Sequence, residues 1–329
     1  MSARTRPVSL WPGALLLAML AVGWASGRID PPTLAASAAQ LRPPGSRLQE
    51  VELTGGGYVR APDLVADEQG IRVLTPSGWR TFGAQRPAGP IRARRLWLGT
   101  DQQGRDVLAR TLRGAQTSLL VAAVATAVAL LLGSCIGLAA ALSRRARPPL
   151  AVLTDGLLGL PRLLLLLMLG VALRELPVAL GLAIGLTAWM EIARLVEGQA
   201  RALRNHPFLH AAEATGMRTS RLAWRHLLPN LAPLLGVAAP LVATEAILLE
   251  STLSFLGLSG SDAPSWGRMI ADSQARLPDG WWMVVFPGLL LCLTALAVHR
   301  LSPAREQTLA RVTLPQQSLE AEKRVGQNV

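Results

Sequence analysis

The feature that most constrains this chain is a run of 25 residues without a charged side chain, SLLVAAVATAVALLLGSCIGLAAAL, at positions 118–142. About 20 apolar residues in a helix are enough to cross roughly 30 Å of hydrocarbon. Only helices or closed barrels satisfy backbone polar groups in lipid, and the uninterrupted apolar runs favour helices. Half of the 329 residues are hydrophobic and 16% are charged. The sequence therefore predicts an all-α polytopic membrane protein.

Six membrane spans are predicted from the apolar runs. The first could instead be a cleaved signal peptide, because Arg4 and Arg6 precede its apolar run. Both interpretations place the segment that follows outside the membrane. The predicted spans are 8–27, 117–142, 150–173, 177–196, 231–257 and 281–300.

Arginine in the short connections predicts the orientation. The connections 143–149 and 194–226 hold three and six arginines within reach of the spans, and short basic loops face the cytoplasm. Both termini are then expected to be cytoplasmic. The net charge of +12 is attributed to topology and to contact with membrane lipid, and no nucleic acid is expected as a partner.

The chain is predicted to have four parts. Residues 1–27 form the first span, and 28–97 form a small external module. The module alternates apolar and polar residues between glycine turns, which indicates two to four short strands. Residues 98–302 form the transmembrane domain, and 303–329 form a cytoplasmic tail.

Patterns of catalytic, metal-binding and cofactor-binding residues are absent from the sequence. The four histidines lack metal-ligand spacing. A phosphate-binding loop requires lysine after glycine, and the single lysine, Lys323, follows Glu322. We therefore predict no catalytic, metal-binding or cofactor-binding residues and no enzymatic activity, so any ATP hydrolysis would belong to another subunit.

Two charged residues, Asp155 and Arg162, lie within the predicted third span. A charge inside the membrane is costly unless it is paired or hydrated. Seven residues separate the two, so they are expected to share one face of a helix. They either pair with another subunit or line a pathway.

The polar stretch NHPFLHAAEATGMRTSRLAWRHLLPN (205–230) lies between two predicted spans. Asn205 is expected to cap a helix that Gly216 ends in a left-handed conformation, and Pro229 is expected to stop a second short helix. The small residues Ala211 and Ala212 would allow close approach by a partner backbone. A helix lying on the lipid surface is the alternative.

The spacing of this stretch resembles the EAA signature of ABC-importer permeases: His210-Ala211-Ala212, then Gly216, then HLLP at 226–229. Asp155 with Pro161 also matches the family pattern. Three further blocks match it as well: LGTDQQGRDVLARTLRGAQTSL (98–119), WMEIARLVEGQ (189–199) and ESTLSFLGLSGSDAPSWGRMI (250–270). Together they resemble the C-type permease of the dipeptide, oligopeptide and nickel group, which has the type I importer fold.

The resemblance implies a coupling helix in the loop 204–229 that contacts an ATPase subunit. The coupling residues would be His210, Ala211, Ala212, Glu213, Gly216 and Pro229. His210 replaces the glutamate of the signature, and Glu213 could substitute in part. The implied partners are a homologous B-type permease, two ATPase subunits that use ATP, and an external substrate-binding protein, all at a bacterial inner (plasma) membrane.

The matched blocks also supply candidates on the outer side. Asp101, Gly104, Arg105 and Asp106 would form a salt-bridged cap or contact substrate. Together with Asp155 and Arg162, the pathway or gate candidates are Glu250, Phe255 and Trp266. The interpretation for Trp266, Trp281 and Trp282 is an interfacial aromatic belt.

The resemblance implies import of dipeptides or oligopeptides by alternating access, with nickel or another small solute as alternative cargo. A second hypothesis is a receptor or assembly protein that keeps the permease fold without transport. A third is a secondary transporter that uses Asp155, Glu191 and Glu245, although their positions do not follow an inverted repeat.

Overall fold

The computed structural model describes residues 39–54, 58–67, 70–75, 78–82, 87–172, 179–258 and 264–301. The predicted first span (8–27) and the tail (303–329) lie outside the described residues. The chain divides into two compact units, one formed by Met1–Leu120 with Ile247–Ala295 and the other by Val121–Ala246 with Leu296–Val329. Each unit is described by itself.

In its described residues, the segment before the first long helix contains two antiparallel three-stranded sheets. The strands are β1 (Arg47–Glu52), β2 (Tyr58–Ala61), β3 (Leu64–Asp67), β4 (Gly70–Thr75), β5 (Gly78–Phe82) and β6 (Arg92–Arg95). One sheet has the order β2-β1-β6 and the other has the order β3-β4-β5. The prediction of two to four strands was therefore too low. Alternate residues of both sheets form a shared buried cluster that includes Val51, Val59, Ile71 and Val73.

A buried arginine, Arg60, and a partly buried one, Arg94, bind this β module internally and to the start of the first helix. The Arg60 side chain is 1% exposed and its Nε donates to Glu50 at 2.6 Å. Arg94 on β6 donates to the same carboxylate at 3.4 Å and to Asp106 at 3.1 Å. Because these pairs are partly withdrawn from water, they hold β1, β2 and β6 in register with the chain that enters the helix.

Nine α-helices lie in the described part of the chain. They are α1 (Val107–Leu142), α2 (Arg147–Leu158), α3 (Arg162–Ala172), α4 (Ala179–Arg204), α5 (Pro207–Ala214), α6 (Thr219–Leu222), α7 (Leu228–Phe255), α8 (Trp266–Ser273) and α9 (Trp282–Arg300). A π-helical turn, Ala223–Leu227, joins α6 to α7, and a 3₁₀ turn, Gln274–Arg276, follows α8.

Four of these segments are long and apolar enough to cross a membrane, namely α1, α4, the continuous helix Thr219–Phe255 and α9. The predicted third span is instead a bent pair, because α2 and α3 meet at 92°. Pro161 precedes α3 and cannot donate the backbone hydrogen bond that would continue α2. The described residues therefore hold four spans, or five if the bent pair crosses.

The prediction that Pro229 stops a short helix was wrong. The helix that begins at Thr219 continues through Pro229 to Phe255. A proline ring inside an α-helix clashes with the carbonyl four residues earlier. Here the wider π turn Ala223–Leu227 comes just before Pro229, and the Leu228 N–H bonds to the carbonyl of Ala223. The π turn thus relieves the clash and lets the polar segment join the span.

Glycines bring α1 and α4 into close contact within the second unit. A Cβ on Gly137 would lie 2.5 Å from the Ala193 carbonyl oxygen, and one on Gly133 would lie 2.6 Å from Ile192 Cβ. Towards the other end of the pair, a Cβ on Gly185 would lie 2.7 Å from Val128 Cβ. Small residues four apart allow the backbones of membrane helices to approach, so each helix supplies one such contact surface to the other.

Candidate functional site

The helix α5 lies between two span-forming helices and is fixed by one buried side chain. Leu209 is 1% exposed and belongs to the hydrophobic cluster that contains Val196 of α4 and Leu227 of the π turn. The next residue, His210, is exposed. Residues adjacent in a helix point about 100° apart, so anchoring Leu209 turns His210 outward. The sequence thus builds a short helix with an inner anchor and an available outer side.

The turns at the ends of α5 differ in how well the sequence predicts them. Gly216 has φ of 74°, which confirms the left-handed conformation expected after the helix. The helix begins at Pro207, so His206 holds the N-cap position predicted for Asn205.

The other predicted coupling residues differ in burial. Ala212 is half-buried and packs against the same cluster as Leu209, whereas Pro229 is exposed in the first turn of α7. The side chains of Ala211 and Glu213 lie outside the described part of the structure.

A charged cluster joins three helices of the second unit. Arg162, the first residue of α3, forms a short ion pair with Glu245 of α7 through Nη1 and lies 3.8 Å from Glu191 of α4. Its Nε is 3.4 Å from the Thr187 hydroxyl. The Arg162 side chain is 21% exposed. It is thus partly buried, and glutamates of the same chain balance its charge.

Asp155 and Arg162 do not share a helix face, as the sequence had suggested. The bend between α2 and α3 separates them, and Asp155 instead pairs with Arg194 of α4 at 2.7 Å. Both side chains of this second pair are more than half exposed. The partner expected in another subunit is therefore found within the same chain for each residue, and whether either lines a pathway stays a prediction.

The block 98–106, predicted to lie on the outer side, is a turn held by two aspartates. Asp101 Oδ1 accepts from the backbone N–H groups of Gln103 and Arg105 at 2.8 and 2.9 Å, and Oδ2 accepts from the side chains of Arg105 and Arg110. Gly104 has φ of 72°, which a side chain would disfavour. This geometry is that of a salt-bridged turn, one of the two interpretations of the block.

Asp106 caps the first long helix. Its Oδ1 accepts from the Leu108 N–H at 2.9 Å, and its Oδ2 accepts from Arg94 at 3.1 Å. A carboxylate at this position satisfies an otherwise unpaired N–H of the first turn. Asp106 therefore sets the point at which the β module ends and the membrane helix begins.

Glu250 of α7 is 1% exposed and lies among hydroxyl groups. Ser118 of α1 donates to its Oε2 at 2.7 Å, and Ser254 donates to its Oε1 at 2.8 Å. Phe255, at the end of the same helix, is 39% exposed. The loop residues 259–263 that follow lie outside the described part of the chain, and the gate role of Glu250 and Phe255 stays a prediction.

Trp266 is not part of an interfacial belt. Its side chain is fully buried and its Nε1 donates to the Thr111 carbonyl of α1 at 2.7 Å. The indole packs on Gly114, where a Cβ would lie 2.9 Å from the ring. Trp282 is also buried, at 5%, whereas Trp281 is 49% exposed. An interfacial position therefore stays a prediction only for Trp281, because the other two rings are buried and hydrogen-bonded within the first unit.

Two structural features were missed by reasoning from the sequence. One is the pair of glycine contacts between α1 and α4, which the G-x-x-x-G spacing of 133–137 and 181–185 inside apolar segments could have indicated. The other is the pairing of Arg162 with Glu245. Its members are 83 residues apart, and no local pattern carries that information.

Comparison with known proteins identifies the class. Residues 130–308 match the family described as binding-protein-dependent transport system inner membrane components. The chain belongs to this family. It is a multi-pass permease subunit, and the match includes the helix α5 with its anchor Leu209, the Arg162 cluster and Glu250.

Named relatives agree with the family. The chain is 38% identical over 205 residues to a putative peptide transport system permease protein of Brucella suis, covering 61% of this chain and 69% of the relative. It is 37% identical over 206 residues to a probable D,D-dipeptide transport system permease protein of Escherichia coli, covering 62% and 69%. It is 34% identical over 201 residues to an oligopeptide transport system permease protein of Bacillus subtilis, covering 60% and 66%.

A solved structure supports the fold independently. One chain of the MetNI methionine ABC transporter, in an inward-facing conformation, is 18% identical to this protein and superposes with a TM-score of 0.50. The alignment covers 62% of this chain and 96% of that chain. The fold is that of a type I ABC-importer permease.

Proposed function

We propose that this protein is a permease subunit of an ATP-driven importer for dipeptides or oligopeptides. It receives cargo from an external binding protein and moves it by alternating access. The observation that carries the proposal is α5, a short helix that is anchored by Leu209 and presents His210 between two span-forming helices. Peptide cargo is supported by the names of relatives at 34–38% identity.

The helix α5 contacts an ATPase subunit in this proposal. Its outer side, with His210, meets the partner, while Leu209 belongs to one packed cluster with Val196 and Leu227. Packed side chains transmit displacement because interiors resist compression. Movement of the ATPases thus shifts α4 and α7 with α5, and the spans reorient around the cargo.

The remaining partners follow from the same assignment. A homologous B-type permease completes the pathway, and two ATPase subunits hydrolyse ATP, so this subunit does no chemistry on its cargo. Both termini and α5 lie on the cytoplasmic side of a bacterial inner membrane. That orientation is supported by the arginines at the helix ends near α5, among them Arg201, Arg204 and Arg221.

The first experiment is purification of the tagged chain from its own membrane in mild detergent, with identification of co-purifying proteins. A second permease together with an ATPase is the expected result. A chain that is recovered alone, or in an unrelated complex, would favour the receptor or assembly hypothesis instead.

Coupling is tested by substituting the exposed histidine on α5. His210→Trp should lower ATP-driven peptide uptake by about tenfold or more while leaving membrane insertion intact, because the bulky ring prevents close seating of the ATPase. His299→Trp is the matched control, since His299 is also exposed but lies in the last turn of α9. Equal uptake by the two variants would reject the assignment of α5.

A further inference from the structure

An apolar groove of about 480 Å³ lies in the second unit, along the second half of α1 and the start of the helix that becomes α7. Its walls are mostly aliphatic, including Leu130, Leu138, Leu142 and Leu235. No function described above uses it. An open apolar groove of this size on a membrane protein is suited to a hydrocarbon chain.

The groove has the length of one leaflet. Its lining on α1 extends from Leu130 to Leu142, which corresponds to about 18 Å at 1.5 Å per residue. Half of a bilayer hydrocarbon core is about 15 Å. An acyl chain that enters from one membrane surface would therefore fill most of the groove.

One end of the groove is polar. Ser143 at the end of α1, with Thr219 and Ser220 at the start of α6, are the hydroxyl residues there. Trp224 lines the groove beside them and is 67% exposed. Tryptophan is favoured at the level of lipid headgroups, where its ring meets both hydrocarbon and polar groups.

Four exposed arginines are close in sequence to the residues at this polar end. Arg144 and Arg145 follow the lining residue Ser143, whereas Arg221 and Arg225 flank Ser220 and Trp224 in sequence. Among the residues that the structure describes, none of the four takes part in an ion pair. The chain segments at the polar end of the groove thus carry four positive charges that form no ion pair within the described chain.

We infer that this groove is a binding site for an anionic phospholipid, with an acyl chain along α1 and the phosphate among the arginines. The inference rests on the proposed function only for the orientation, which places the arginines at the cytoplasmic leaflet. Basic pockets between membrane helices on that side bind anionic headgroups. Charge complementarity selects an anionic lipid over a neutral one.

A native cysteine in the groove offers an attachment point for a crosslinker that can identify the bound molecule. Cys135 is exposed and lines the groove, and the other cysteine, Cys292, is exposed on α9. A short photocrosslinker is attached to Cys135 in Cys292→Ser, and to Cys292 in Cys135→Ser as the matched control. Both proteins, with their co-expressed partner subunits, are irradiated in vesicles of phosphatidylglycerol and phosphatidylcholine, and the adducts are identified by mass spectrometry.

Phosphatidylglycerol should be several-fold enriched over its bulk share in adducts at Cys135 but not at Cys292. Since an arginine near an anionic headgroup contributes about fivefold in affinity, Arg221→Gln/Arg225→Gln should abolish the enrichment. Arg300→Gln, which removes an exposed arginine at the end of α9, should leave it unchanged.

Three results would overturn the inference: adducts that follow the bulk lipid ratio, equal loss of enrichment in Arg300→Gln, or a Cys135 adduct to protein. A protein adduct would assign the groove to the partner permease or to another segment of this chain. Peptide uptake is measured separately on the same vesicles. Lipid enrichment without uptake would reject the proposed function and keep the lipid site. Uptake without enrichment would reject the lipid site and keep the proposed function.

Discussion

Ser118 on α1 donates a 2.7 Å hydrogen bond to the carboxyl group of Glu250 on α7, across 132 residues of sequence. Both side chains are essentially inaccessible, and Ser254 and Ser251 supply further hydroxyl groups at 2.8 and 3.3 Å. A buried carboxyl group is tolerated where hydrogen bonds replace its hydration. Glu250 therefore joins α1 and α7 through a polar contact inside an apolar region.

Removal of this carboxyl group should destabilise the protein. In Glu250→Ala the buried serine hydroxyls lose their acceptor, at about 1–3 kcal/mol for each polar group left unsatisfied. Ser118→Ala should have a smaller effect, because Ser254 and Ser251 still donate. Thermal unfolding in detergent measures both. Glu52→Ala, at an exposed position of β1, is the control, and an equal loss in Glu52→Ala and Glu250→Ala would contradict the prediction.

The ion pair between Arg162 and Glu245 predicts that removing both charges restores stability that is lost when only one is removed. Arg162→Met leaves Glu245 without its closest partner and should cost about 1–2 kcal/mol, less than for a fully buried pair because both side chains are partly exposed. Arg162→Met/Glu245→Met removes both charges and should recover most of the folded yield.

Arg194→Met serves as the comparison for Arg162→Met. Its pair with Asp155 is more than half exposed, and such pairs contribute about 0–1 kcal/mol. Gel filtration of each variant in mild detergent measures the yield of monodisperse protein. A double variant that is worse than either single change would show that the pair does not act as a unit.

The close approach of α1 and α4 makes Gly137 intolerant of a side chain. Gly137→Val should destabilise the protein by about 1–3 kcal/mol or more, because the added atoms would meet the Ala193 carbonyl and Val196. Gly198→Val is the control on α4, since a Cβ there meets nothing within 4 Å. Thermal stability in detergent distinguishes the two, and similar values would mean that the helices separate easily.

The turn 98–106 depends on Asp101. In Asp101→Ala, Arg110 loses a short ion pair and two backbone N–H groups lose their acceptor. We therefore expect the free energy of unfolding to fall by about 1–3 kcal/mol. Asp279→Ala changes an exposed aspartate in the same unit and should change stability little. Protease accessibility of the β module reports the effect, and unchanged protection in Asp101→Ala would argue against a fastening role.

The sequence by itself determined the membrane class, the approximate positions of four spans in the described chain, the left-handed conformation of Gly216 and the family. These are local properties, because hydropathy is summed along a segment and the signature blocks are contiguous. The apolar content of 118–142, for example, requires a spanning helix whatever surrounds it.

The tertiary structure decided which groups meet. Arg162 pairs with a glutamate 83 residues away rather than with Asp155, and Trp266 enters the interior because Gly114 leaves room for its ring. Pro229 continues a helix because a π turn precedes it. Each outcome depends on the shape and polarity of segments distant in sequence, and a contact free energy of this kind exists only once those segments are packed together.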